Sequence, residues 1–255
     1  MLRKVLTGLV LTGLLTGLLI GLASCAKKEP TKIVFASDAT FPPMEMVDTS
    51  KNIVGFDIDL MSAAAKAAGF TAEYKNTAWD GIFAGLEAGK YDAVLSSVTI
   101  TDERKKTMDF SVPYINAGQI LTVRADANDV AALTDLKGKK VGAQIGTTGA
   151  FEIDKVKDAN KITEKTYDDI GLAFEDLVNG RIDGVVVDNP TAASYALQND
   201  KYKGKLKTVG TPFTEEYYGV AVKKGNQKVL DLVNAGLKKV MDSGENKQIQ
   251  DKWLK

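Results

Sequence analysis

The 255-residue chain has no histidine and a single cysteine, Cys25. Without imidazole, Ser-His-Asp and Cys-His nucleophile pairs within the chain are excluded, as is every metal site built on histidine. One thiol excludes an intrachain disulfide and a cysteine-cluster zinc site. Net charge is missing too: 33 Lys and Arg balance 33 Asp and Glu. No global positive field is available to hold nucleic acid. The rest is ordinary for a globular chain, with 44% hydrophobic and 26% charged residues. At this length that suffices for one or two domains with buried cores.

Arg3 and Lys4 precede an apolar run, 5–23, rich in Leu and Gly, and no further charge follows until Lys27. A basic start, an apolar middle and a small-residue end form the pattern of a secretory signal. The end, Leu22-Ala23-Ser24-Cys25, is similar to a bacterial lipobox. That resemblance implies cleavage before Cys25 and acylation of its thiol. Residues 1–24 are then a lipoprotein leader and 25–31 a lipidated cysteine with a solvated tether. The competing reading is an uncleaved anchor, because about 19 apolar residues can just span a bilayer. Both readings place the bulk of the chain outside the cytoplasmic membrane, facing the periplasm or the cell surface.

From Lys32 onward, short apolar runs alternate with amphipathic stretches. The pattern predicts strands over 32–36, 71–74, 93–98, 140–144, 184–187 and 218–222. It predicts helices over 57–68, 79–88, 149–156, 169–178, 191–197 and 227–241, the first two stopped by Gly69 and Gly89. Strand-helix alternation implies α/β architecture with parallel-type sheets flanked by helices. Two crossing points divide it: lobe 1 is 32–113 plus 219–255, lobe 2 is 119–213, and 114–118 and 214–218 are hinge segments. Two crossings between two α/β lobes make a clamshell. Ligands of open α/β sheets bind beyond the carboxyl ends of the strands, which here face the cleft.

The residues just after the predicted strands are few and polar. Asp38 and Phe41 follow the first strand, and Thr99 and Arg104 follow the strand ending at Val98. Gly146-Thr147-Thr148-Gly149 follows Gln144, and Asp188 follows Val187. Each has a local structural alternative: a turn cap for Asp38 and Asp188, a helix cap in the Gly-Thr-Thr loop, a solvated charge for Arg104. Together they match a free amino acid. Arg104 offers a planar fork for a carboxylate, and the loop opening a helix adds N–H groups with a favourable dipole. Asp188 offers the counter-charge for an ammonium, while Phe41 and Trp79 are placed to enclose a side chain.

The stretch Thr99-Ile100-Thr101-Asp102-Glu103-Arg104-Lys105-Lys106-Thr107-Met108-Asp109-Phe110-Ser111 resembles the signature of the polar amino-acid-binding proteins of bacterial ABC importers. These are solute-binding proteins of family 3, such as the glutamine-, histidine- and lysine/arginine/ornithine-binding proteins. Supporting segments are Gly55-Phe56-Asp57-Ile58-Asp59-Leu60, Leu136-Lys137-Gly138-Lys139-Lys140-Val141-Gly142, Gly146-Thr147-Thr148-Gly149 and Tyr217-Tyr218-Gly219. The resemblance spans 32–255 and implies a type II periplasmic binding fold, two lobes closing on the ligand. It implies that Arg104 and the backbone N–H groups of Thr99 and Thr148 hold the α-carboxylate. It implies that Asp188, the Ser97 carbonyl and the Thr99 hydroxyl hold the α-ammonium. Phe41 and Trp79 would sandwich the ligand, with Asp38 and Gln144 at its side chain.

A monomer without cofactor, metal or enzymatic activity, delivering its ligand to ABC permease subunits, is the implied working form. Ser96-Ser97 resembles the basic-amino-acid binders more than the glutamine binders, and Gln144 stands where the latter place a lysine. Arg104 is the only Lys or Arg on the matched pocket loops, which argues against aspartate and glutamate. A free L-amino acid, polar or basic favoured, such as arginine, lysine, histidine or glutamine, is the expected ligand. Glu45, near Pro42-Pro43, is either a second pocket acid or solvent-facing. Two other functions share the same residues: a cyclohexadienyl dehydratase-like enzyme using Asp38 or Glu45 as acid, and a sensor that presents the closed form to a receptor.

Overall fold

The computed structural model describes residues 30–255. The predicted leader, Cys25 and most of the tether lie outside the described residues. None of the described helices is long and apolar enough to cross a membrane.

Two five-stranded sheets carry the chain. The first has the order Thr71–Asn76, Lys32–Ser37, Ala93–Val94, Ala221–Lys223, Met108–Phe110. The second has the order Thr163–Tyr167, Lys140–Gln144, Gly184–Asp188, Gln119–Arg124, Leu206–Val209. In each, the first three strands are parallel and the fourth runs antiparallel to its neighbours. That fourth strand is the one the chain brings in after crossing from the other lobe. The crossings themselves pair: Ile115–Asn116 and Tyr217–Tyr218 form a two-stranded antiparallel ribbon. Side chains alternate along such a ribbon, so Glu216 and Tyr218 are buried while Glu215 and Tyr217 are exposed.

Helix burial fixes each lobe. Phe56–Ala68 buries Phe56, Ile58, Leu60, Met61 and Ala64, and packs on Gln227–Ser243, which buries Val229, Leu230, Val233, Leu237 and Val240. At about 1.5–3 kcal/mol per fully buried large apolar side chain, this contact ties the C-terminal helix to the first lobe. In the second lobe Ile170–Val178 buries Ile170, Phe174 and Leu177. The Phe174 ring stacks on Tyr195 at 4.0 Å between centroids.

Several elements differ from their sequence prediction. The strand expected over 93–98 stops at Val94, because Ser97 takes a φ of 50° and donates its N–H to Asp57 instead of a ladder partner. The strand expected over 218–222 is split between the ribbon, Tyr217–Tyr218, and the sheet, Ala221–Lys223. The helix expected over 79–88 begins at Ile82, leaving Trp79 in the preceding turn. That expected over 191–197 is an α turn, Asn189–Ala193, continued by a π turn, Ser194–Gln198.

Candidate functional site

The carboxyl ends of the parallel strands of both sheets converge on one cavity between the lobes. Asp38, Phe41, Trp79, Ser97, Thr99 and Arg104 line it from the first lobe, and Gln144, Thr148 and Asp188 from the second. Glu45, Ser96 and Thr147 complete the lining. The nine residues expected to touch the ligand therefore face one space. The lobes approach closely around it: Arg104 Nη2 donates to the Gly146 carbonyl at 3.3 Å and Gln144 Nε2 to Asp38 at 2.8 Å.

The positive pole is Arg104, on the short helix Asp102–Thr107, whose first turn is capped by Thr101 Oγ1 accepting from the Arg104 N–H at 3.1 Å. Its Nη1 donates to the Thr99 carbonyl at 2.9 Å. The guanidinium carbon lies 5.5 Å from the Trp79 ring centre and 5.2 Å from that of Phe83, within cation–π range. Burial lowers its pKa to about 10 against the pull of the Asp188 and Glu216 carboxylates, so it remains a cation at neutral pH. Trp79 thus braces Arg104 as well as lining the cavity.

Across from it stands the loop Gly146-Thr147-Thr148. Gly146 has a φ of 68°, a left-handed turn that glycine adopts without strain. Thr147 then caps the helix Thr148–Asn160, its hydroxyl accepting from the Ala150 N–H at 3.3 Å. At Gly149 a Cβ would fall 2.8 Å from Gln119 Oε1 and 2.9 Å from the Val186 carbonyl. Only glycine lets this helix start press against the sheet. The N–H groups of Thr148 and Gly149, without a partner among the described residues, and the helix dipole suit an anion.

The negative pole is Asp188, at the end of its strand, buried, with Oδ1 lacking a partner among the described residues. Burial, and then the charge of Glu216, raise its pKa to about 7. Ser97, facing the same cavity, is held by two buried acids. Asp57 Oδ2 accepts from the Ser97 N–H at 3.0 Å and from the Tyr114 hydroxyl at 2.8 Å. Glu45 accepts from the hydroxyls of Ser96 at 3.3 Å and Ser97 at 3.2 Å. The solvent-facing alternative for Glu45 is overturned, since it is fully buried. Burial, reinforced by Asp57, pushes Glu45 well above the ordinary carboxylate range, and burial raises Asp57 to about 6.

At the far end Asp38 accepts from Gln144 Nε2 at 2.8 Å and from Thr40 Oγ1 at 2.9 Å. Burial raises its pKa, with Asp169 adding to the rise. Gln144 Nε2 also donates to the Asp168 carbonyl at 2.9 Å. This end is acidic, bounded by the buried Phe41 ring. Sequence reasoning missed Asp57 and Glu216 as parts of the site. The only local signal for Glu216 is the alternation Glu215, Glu216, Tyr217, Tyr218, which becomes informative once that stretch is known to be extended.

The interlobe cavity thus carries one guanidinium, Arg104, among the carboxyl groups of Asp38, Glu45 and Asp188. Residues 33–255 match the family of bacterial extracellular solute-binding proteins, family 3. A probable histidine-binding protein of Neisseria gonorrhoeae is 39% identical over 234 residues, 91% of this chain and 87% of that protein. An L-cystine-binding protein of Escherichia coli (strain K12) is 33% identical over 259 residues, 99% of this chain and 95% of that protein. An ancestral arginine-binding protein bound to arginine aligns with a TM-score of 0.84 at 40% identity, covering 89% of this chain and 100% of that one. Sequence and fold agree over the whole two-lobed unit, and the chain belongs to the bacterial extracellular solute-binding proteins of family 3.

Proposed function

We propose that the protein captures a free polar amino acid, one with a cationic side chain favoured, by closing its lobes, and delivers it to an ABC permease. One observation carries this reading: a guanidinium and a buried carboxylate with an unpartnered oxygen line the same interlobe cavity. Those are the complements of an α-carboxylate and an α-ammonium. Arg104 with the N–H groups of Thr99 and Thr148 takes the carboxylate. Asp188, the Ser97 carbonyl and the Thr99 hydroxyl take the ammonium. Phe41 and Trp79 enclose the side chain, whose end meets Asp38 and Gln144. The acidic far end favours arginine, lysine or histidine over glutamine and disfavours aspartate and glutamate. Lobe 1 (32–113 and 219–255) and lobe 2 (119–213) move about the hinge segments 114–118 and 214–218, and acyl groups on Cys25 tether the monomer to the membrane.

A binding role is supported over an elimination enzyme by the relatives, among them a probable histidine-binding and an L-cystine-binding protein. Thermal unfolding against the twenty amino acids plus ornithine, citrulline and cystine tests the proposal. A ligand at about a thousand times its dissociation constant adds roughly 4 kcal/mol, a rise of about 8–16 °C for a protein of this size. The basic amino acids should give the largest rise. No rise with any of them, after refolding from denaturant to release co-purified ligand, would overturn the reading, as would turnover of prephenate or arogenate.

A further inference from the structure

Glu216 immediately precedes the second crossing strand, Tyr217–Tyr218, and is buried beside the ribbon that joins the lobes. Its Oε1 accepts from Thr214 Oγ1 at 2.8 Å. Its Oε2 accepts from Thr148 Oγ1 at 2.7 Å, from Thr99 Oγ1 at 3.0 Å and from Gln119 Nε2 at 3.4 Å. Thr99 belongs to the first sheet's lobe and Thr148 opens a helix of the second. A single carboxylate oxygen in the hinge therefore holds a hydroxyl from each side of the cleft.

A threonine hydroxyl has one hydrogen and two lone pairs. With both hydrogens given to Glu216, Thr99 and Thr148 turn only lone pairs toward other groups. The lone pair of Thr148 is met by Gln119 Nε2 at 3.1 Å. The Thr99 oxygen lies 3.4 Å from that of Thr148, which then has no hydrogen to offer it. Thr99 therefore enters the cavity as an acceptor, in the space that Asp188 also lines.

The geometry points to Glu216 as a positioning residue that fixes the Thr99 hydroxyl as a hydrogen-bond acceptor for the ligand's ammonium and ties the two lobes through one carboxylate. The inference rests on the amino-acid reading above. A carboxylate is required because it only accepts. An amide could keep its oxygen on the two threonines only by turning its NH₂ to Thr214 Oγ1, which already accepts from the Gln119 N–H at 2.8 Å. In the other orientation its NH₂ meets a threonine oxygen, and that hydroxyl's hydrogen then points into the ammonium site.

The test is Glu216→Gln, the isosteric change that reverses the hydrogen-bond direction. Calorimetry would compare L-arginine, L-lysine, L-histidine and L-glutamine, each beside the same acid lacking its α-amino group. The variant should bind the amino acids at least tenfold more weakly than the parent and the des-amino acids within threefold. Thr99→Val, which removes the acceptor and leaves Glu216 in place, should show the same selective loss. Equal losses for both ligand sets, or no loss, would overturn the assignment.

A ligand-free arm separates this inference from the functional reading. Spin labels at the exposed positions 75 and 165, one on each lobe, in a Cys25→Ser background, report the interlobe distance. Glu216→Gln should move the distribution toward longer separations. An unchanged distribution would refute the tie between the lobes. If the parent protein binds none of the four amino acids, the functional reading fails and this arm alone decides the role of Glu216.

Discussion

Binding should release a proton, and Asp188 is the group that loses it. Burial, with Glu216 beside it, raises Asp188 to about 7 from an ordinary value of 3.8. An ammonium bonded to the carboxylate favours its charged form and returns it toward that ordinary range. Between about pH 4 and pH 7 the ligand-free protein then holds more protons than the complex, so affinity falls as pH falls. One pKa unit corresponds to about 1.36 kcal/mol. Affinity at pH 5 should therefore be about a hundredfold below its plateau above pH 8, roughly 2.7 kcal/mol. At pH 7 about half a proton should leave per ligand bound.

The groups bearing on Asp188 are Glu216, Tyr218, Gln119 and Arg104. Asp38, also raised, adds a loss of the same sign if a cationic side chain lies against it. Calorimetry with L-arginine in buffers of different ionisation enthalpy counts the protons and gives the dissociation constant from pH 5 to pH 8. Asp188→Asn should bind weakly at every pH and lose most of the pH step. A dissociation constant at pH 5.5 within twofold of that at pH 8, or an Asn variant that keeps the full step, would refute the reasoning.

Arg104→Ala removes the fork from the carboxylate and leaves that anion buried and unpaired, so binding of L-arginine should weaken by about 2–5 kcal/mol. Arg104→Lys should fall between parent and Ala because an ammonium contacts one oxygen where the guanidinium contacts two, and an Ala variant within threefold of the parent would sink the carboxylate assignment. Gly149→Ala places a methyl against the Val186 carbonyl. It should cost roughly 1–3 kcal/mol in denaturant unfolding and weaken ligand binding as the helix start is pushed into the cleft. Cys25→Ala should stop incorporation of labelled fatty acid while leaving the dissociation constant unchanged; continued labelling would place the lipid elsewhere.

Much of the architecture could be read in one dimension because the signals were local. Helix Phe56–Ala68 shows its apolar face at helical spacing and ends at Gly69. Strands Lys32–Ser37, Lys140–Gln144 and Gly184–Asp188 are apolar runs covered on both faces. Asp38 follows such a strand directly and Gln144 and Asp188 end theirs, so these three stand out once the strands are drawn. Other strands give no such signal. Thr163–Tyr167 is an edge strand of sequence TEKTY, with too little burial to impose an apolar pattern. Met108–Phe110 is ordered by pairing with Ala221–Lys223, more than a hundred residues along the chain.

The amino-acid sequence by itself determined the lobes' α/β character, the absence of imidazole chemistry and of an intrachain disulfide, and the charged groups that can complement a zwitterion. Tertiary structure decided which of those groups share one cavity between the lobes. Glu45 and Asp57 look like surface acids in sequence, yet the hairpin strands Thr40–Phe41 and Glu45–Val47 and the start of helix Phe56–Ala68 bury both beneath Ser97. Glu215 and Glu216 are chemically identical neighbours. The pairing of Tyr217–Tyr218 with Ile115–Asn116 leaves the first in water and turns the second onto hydroxyls from both lobes. Chain chemistry supplies the groups; burial and strand alternation, which depend on distant partners, settle their charge and their direction.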